Sequence, residues 1–178
     1  HLGESCPEGW VRVDFHSHTM WSGDSTTTPE ELVECVAASG IDVLCVTDHN
    51  AIKGAEALVE QLPGRVVIGE ELQTHAGEII GLFLNERIPQ GIRPEEAAQN
   101  IRDQGGIVYI PHPFDPLRNN LREDVLDQLV EASLVDGIEV INGKTSLQSL
   151  NRRAYTYAQE NDLAIGAGSD AHVAEAIG

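Results

Sequence analysis

Short hydrophobic runs alternate along the chain with stretches whose apolar residues recur at helical spacing, the pattern of an α/β protein. Strands are predicted near Val11–Phe15, Ile41–Thr47, Arg65–Gly69, Glu78–Leu84, Ile107–Ile110, Gly137–Ile141 and Ala164–Ala167. Between the first two, Thr28-Pro29-Glu30-Glu31 offers a cap, a proline at the first helical position and a glutamate three residues after the cap, and Gly40 supplies the stop. Further helices are predicted over Ala51–Gln61, from Arg93-Pro94 to Gly105-Gly106, over Arg122–Ala132 and over Ser146–Asn161. Most strands are therefore joined by crossover helices. The third and fourth are the exception, because fewer residues separate them than the dozen or so a parallel crossover needs. They are predicted to form an antiparallel hairpin in which Glu70 and Glu78 meet on one rim.

That rim is where the polar chemistry collects. Phe15 leads into His16-Ser17-His18, Val46-Thr47 into Asp48-His49, Ile68-Gly69 into Glu70-Glu71, Ile110-Pro111 into His112-Pro113, and Gly168-Ser169 into Asp170-Ala171-His172. In parallel α/β sheets and barrels, ligands and reactions gather at the carboxyl ends of the strands. Five segments thus deliver imidazoles and carboxylates to one place. His16 and His18, two residues apart on extended chain, point to the same side. Neutral imidazoles with carboxylates suit Zn²⁺, Mn²⁺ or iron, and one carboxylate can bridge two ions. Singly, each fragment has a blander reading: Asp48 and Asp170 as helix caps, the His-x-His pair as surface. Together they point to a metal centre, since buried histidines clustered with acids and no ion between them would be costly.

Composition narrows what such a centre could serve. Hydrophobic residues at 41% and charged ones at 22% describe a folded globular chain, and no linker divides residues 1–178, so one domain is expected. The formal net charge of −18 repels a phosphate backbone, which makes extended nucleic acid an unfavourable partner. A small anion remains compatible where cations neutralise it locally. No apolar run is long enough to span a bilayer and no signal-peptide pattern opens the chain, so no membrane partner and a cytoplasmic location are the expectations. Cys6, Cys35 and Cys45 show no CxxC spacing and cannot all pair within one chain, and Cys35 and Cys45, in apolar helix and strand patterns, read as buried free thiols.

The ordered motifs Asp14-Phe15-His16-Ser17-His18-Thr19, Thr47-Asp48-His49-Asn50, Gly69-Glu70-Glu71, Tyr109-Ile110-Pro111-His112-Pro113 and Gly168-Ser169-Asp170-Ala171-His172 resemble those of the PHP (polymerase and histidinol phosphatase) family. The resemblance runs through nearly the whole chain. It implies a distorted, TIM-like seven-stranded β/α barrel with one antiparallel strand and a phosphoesterase centre of two or three divalent ions. By the same resemblance His16, His18, Glu70 and Asp170 would hold one ion, Glu70 would bridge to a second held by His112, and Asp24, His49 and His172 would hold a third. Asp24, in Ser22-Gly23-Asp24-Ser25, also reads as a plain turn residue. The chain departs from the family at Glu78, where many members have histidine; a carboxylate adds charge and favours a harder metal. His75, in the predicted hairpin loop, is an alternative donor there, and His1 is set aside as terminal.

The implied reaction is hydrolysis of a small phosphate ester, such as a nucleotide or sugar phosphate, by hydroxide that the ions generate, with Asp170 or His172 protonating the leaving group. Arg118 is the preferred phosphate anchor, because a guanidinium matches phosphate geometry; Lys53 and Lys144 are the other rim cations. Two other functions fit the motifs: a nuclease or polymerase-associated proofreading activity, which the acidic charge disfavours, and a non-catalytic metal-stabilised module that binds a ligand.

Overall fold

The computed structural model describes residues 6–178, so His1 lies outside the described residues. Seven strands form one sheet in the order of the sequence: β1 (Val13–Ser17), β2 (Val43–Val46), β3 (Val66–Thr74), β4 (Gly77–Leu82), β5 (Ile107–Ile110), β6 (Gly137–Asn142) and β7 (Ala164–Gly168). Every neighbouring pair is parallel except those involving β4, which runs antiparallel to both β3 and β5. The sheet curls so that β1 meets the end of β7. There Ser17 bridges to Ala171, the His18 amide donates to the Ala171 carbonyl at 2.9 Å and the Asp170 amide to the His16 carbonyl at 2.8 Å. This is the expected distorted seven-stranded β/α barrel.

Five helices cover the outside: α1 (Pro29–Ser39), α2 (Lys53–Val59), α3 (Pro94–Asp103), α4 (Glu123–Glu131) and α5 (Gln148–Glu160). The predicted start of α1 is present in full. The Glu31 amide donates to Thr28 Oγ1 at 3.3 Å, the Thr28 amide donates to Glu31 Oε2 at 2.9 Å, and Gly40 ends the helix at φ +78°. Apolar side chains divide by layer. Leu32, Val36, Leu44, Val46 and Leu58 pack under α1 and α2, while Leu72, Ile79, Ile101, Ile110, Leu126 and Ile138 pack under α3 to α5. Cys45, Val67, Ile80, Leu82 and Tyr109 fill the barrel interior with Val13, Phe15 and Val43. No helix of the described residues is long and apolar enough to cross a membrane.

The third strand differs from its predicted extent. It runs on through Gly69 to Thr74, leaving only His75 and Ala76 between it and β4. Gly69 does not end the strand. A Cβ there would lie 3.0 Å from both the Gly81 carbonyl and a Thr47 methyl, so the glycine permits a close approach within the sheet.

Candidate metal centre

Strand alternation decides which glutamate of Glu70-Glu71 reaches the barrel interior. Val67 belongs to the interior cluster, whereas Ile68 and Leu72 pack on the outer layers. Period two then carries Gly69 and Glu71 inward and Glu70 outward. The structure accordingly puts Glu71, not Glu70, among the histidines. Glu70 is fully buried on the other face, where Oε2 accepts from the Ile88 amide at 2.8 Å and Oε1 has no partner. Burial pushes its carboxyl up to about 7. The pairing expected of Glu70 and Glu78 is therefore made by Glu71 and Glu78: His112 Nε2 lies 2.9 Å from Glu71 Oε1 and 3.5 Å from Glu78 Oε2.

His16 and His18 present their Nε2 atoms to each other at 3.1 Å. Glu71 Oε2 lies 3.2 Å from both, and Asp170 Oδ1 lies 3.7 and 3.5 Å away. The outer nitrogens identify the tautomers. His16 Nδ1 faces Glu139 Oε1 at 3.2 Å, and an ionised carboxylate only accepts. His18 Nδ1 faces Ser22 Oγ at 2.9 Å, and that hydroxyl gives its proton to Asp48 Oδ1 at 2.8 Å. Both Nδ1 atoms thus have a partner that would take their hydrogen, which leaves the two Nε2 atoms to present lone pairs, with two carboxylate oxygens, to a cation at one point. Such a donor set needs positive charge between its members, and a divalent cation fits it. The same need appears in the acid-base balance. Against the opposing effect of burial, Glu71, Glu139 and Asp170 hold the His16 imidazole well above its ordinary range. His112 Nδ1 is buried without a partner.

Around this point four overlapping trios could each hold an ion, with donor atoms within 4.8 Å of one another: His16, His18 and Asp170; His16, Glu71 and His112; His49, Glu71 and Glu78; and His18, His49 and His172. Asp24 belongs to the last neighbourhood, since its Oδ2 lies 3.3 Å from His49 Nε2 and 3.1 Å from His172 Nε2. Glu78 is pushed up to about 7 by burial and by the charge of Glu71. His75 is exposed in the hairpin turn and belongs to none of the trios.

Two cations flank the cleft. Arg118 Nη2 lies 3.3 Å from Asp170 Oδ2, and Lys144 Nζ lies 3.6 Å from Asp170 Oδ1 and against His172 Nδ1. The loops that carry them are clasped together, with Thr145 Oγ1 donating to the buried Asp115 Oδ2 at 2.8 Å. Lys53 is exposed on α2 and does not line the cleft. Asp48 caps no helix. It accepts from the Thr19 amide and hydroxyl, each at 2.6 Å, and from Ser22, which fixes the loop leading to Asp24. Gly54 is required beside it, because a Cβ would collide with Asp48 Oδ2 and Thr19 Oγ1.

Sequence reasoning missed Glu71, Glu139 and Asn142. The first was within reach of the alternation already applied to His16 and His18. Glu139 carried a fainter signal, an acid inside the otherwise apolar strand Gly137-Ile138-Glu139-Val140-Ile141.

Compared with known proteins, the chain matches the PHP domain family over residues 14–155 and a PHP-associated family over residues 148–178. Two uncharacterized proteins of Methanocaldococcus jannaschii are similar to it. One is 39% identical over 145 residues, covering 74% of this chain and 82% of the relative; the other is 34% identical over 172 residues, covering 94% and 68%. The fold also resembles that of a two-domain protein from Bacteroides vulgatus containing a predicted PHP-like metal-dependent phosphoesterase, with a TM-score of 0.75 at 21% identity. That match covers 92% of this chain and 52% of the two-domain protein, so the chain spans about half of it.

Proposed function

Because the chain belongs to the PHP domain family, we propose that it is a metal-dependent phosphoesterase acting on a small phosphorylated substrate such as a nucleotide or sugar phosphate. The observation that carries this reading is the convergence of the His16 and His18 Nε2 atoms, 3.1 Å apart, on Glu71 and Asp170, with Arg118 and Lys144 at the mouth of the same cleft. The name of the Bacteroides vulgatus neighbour is consistent with it.

His16, His18, Glu71 and Asp170 would hold one divalent ion, Glu71 would extend to a second beside His112 and Glu78, and His49, His172 and Asp24 would serve a third. Two or three ions of Zn²⁺, Mn²⁺ or Fe²⁺ suit these donors. When bound, such ions polarise phosphoryl oxygens and lower the pKa of water to near neutrality. The rest falls to the chain. Arg118 and Lys144 would receive the non-bridging phosphoryl oxygens that displace their contacts to Asp170. Asp170 is held well below the usual carboxylate range against its burial, by His16 and His18, so it stays anionic and serves as ligand and orienting group. The proton for the leaving oxygen is assigned to the mouth, where the Lys144 ammonium abuts His172 Nδ1.

The test is turnover of p-nitrophenyl phosphate, its bis-ester and nucleoside monophosphates by protein supplied separately with Mn²⁺, Zn²⁺ and Fe²⁺. At least one pairing is expected to turn over and to stop with chelator. Arg118→Ala is expected to raise KM about tenfold or more, as loss of a charge-assisted contact should. Bound metal with no turnover across the panel would instead identify a binding module. Preferential cleavage of oligonucleotides would favour the proofreading reading and overturn the small-substrate one.

A further inference from the structure

Behind the donors of the cleft lies a carboxylate that neither lines the cleft nor belongs to any of the four trios. Glu139, on β6, is buried at 1% exposure and divides its two oxygens between separate tasks. Oε1 faces His16 Nδ1 at 3.2 Å. Oε2 accepts from the His112 backbone amide at 2.6 Å and from Asn142 Nδ2 at 2.9 Å. That Asn142 nitrogen also reaches Asp170 Oδ2 at 3.2 Å. One carboxylate thus touches, directly or through one amide, three of the residues that converge above it.

Two features show that the chain is built around this arrangement. His112 sits at φ +28° and Asp170 at φ +52°, backbone conformations uncommon for non-glycine residues. Glu139 receives the backbone amide of the first, and the Asn142 amide fastens the side chain of the second. On the neighbouring strand β7 stands Gly168, where a Cβ would collide with Glu139 Oε1 and with His16 Cβ. The absence of a side chain there lets the Glu139–His16 pair close.

The geometry points to Glu139 as the positioning residue of the centre, fixing the Nδ1–H tautomer of His16 and holding His112 in place, with Asn142 relaying the constraint to Asp170. The inference rests on the metal-centre reading above, and carboxylates that receive the outer N–H of a ligating histidine orient it and raise its basicity.

Glu139→Gln tests this sharply because the glutamine amide cannot copy both tasks. Its carbonyl must occupy the Oε2 position, where two donors point. Its NH₂ then faces His16 Nδ1, which must become the acceptor and move its hydrogen to Nε2, the nitrogen aimed into the cleft. Long-range ¹⁵N–¹H correlation on metal-free protein, followed upward in pH until the His16 ring shows a single N–H, reads that tautomer. Calorimetric titration with Mn²⁺ and Zn²⁺ reads affinity. The wild type is expected to show Nδ1–H on His16. Glu139→Gln is expected to show Nε2–H and 10- to 100-fold weaker binding of the first ion, the range typical of such outer partners. Glu139→Asp keeps an acceptor-only group and is expected to keep Nδ1–H with a smaller loss. An unchanged tautomer with unchanged affinity in Glu139→Gln would overturn the inference, as would equal losses in both variants without a tautomer change. A wild type that takes up neither metal would sink the phosphoesterase reading, while the tautomer comparison would still decide what Glu139 does.

Discussion

Glu70 and Glu71 are neighbours on β3 that face opposite sides of it, so neutralising each should have a different consequence. Glu71→Gln removes the negative charge shared by His16, His18, His49 and His112 and turns one of its two oxygens into an NH₂ donor; calorimetry is expected to show at least 100-fold weaker binding of Mn²⁺ or Zn²⁺. Glu70→Gln should leave that binding intact and act on stability instead. Its carboxyl rises from an ordinary 4.5 to about 7 in the folded chain. A raised carboxyl pKa means the folded state holds the proton more tightly, so the contribution is full below pH 4.5 and is lost as pH rises through 7. Metal-free Glu70→Gln is thus expected to match the wild type near pH 4.5 and exceed it at pH 8 by up to about 3 kcal/mol. Urea denaturation at the two pH values checks this; an equal difference at both would count against it. The strand-end histidines were legible in the sequence because hydrophobic runs stop at them. Glu139 was much less so, since its role depends on His16, which is 123 positions away.

At the scale of elements, local signals and packing signals had different fates. The Thr28–Glu31 box is local chemistry, and the sequence announces it. Thr28→Ala is expected to lower stability by about 1 kcal/mol, the usual cost of losing such a cap. Denaturant melts should record that loss while calorimetry finds metal affinity unchanged, because α1 contributes no donor to the cleft. The end of β3 was misread because Gly69 looks like a terminator when seen alone. In the fold it is a packing residue, and the true turn is made by Thr74, whose hydroxyl donates to the Gly77 carbonyl at 2.6 Å and accepts from the Ala76 amide at 3.2 Å. The five extra residues in β3 make the period-two rule decisive there, and that rule replaces Glu70 with Glu71. The reversal of β4 was legible, since the short connection forbids a crossover, and it brings Glu78, near the start of its strand, to the rim where the other strands end.

Over the whole molecule, the charge of −18 sets the field in which everything else acts. Carboxylates crowded at one end of the barrel repel one another, so an ion that neutralises them should favour the folded chain over the unfolded one. Thermal unfolding is expected to shift upward with added Mn²⁺ or Zn²⁺ and to return with chelator, by about 2.7 kcal/mol of stability at a hundredfold excess over Kd. No shift with either ion would contradict the proposed centre. The partial closure of the sheet gives this a mechanical side. β1 and the end of β7 are fastened toward the rim, through Asp14, His16 and His18 on one side and Ser169, Asp170 and Ala171 on the other, while Val13, Ile141 and Ala167 line an open groove. His16 and His18 stand on one side of that seam and Asp170 on the other. An ion gripped by all three would be a rivet through the lips of an unsewn tube, and the His18 and Asp170 amides should turn from early-exchanging hydrogens into some of the last to exchange.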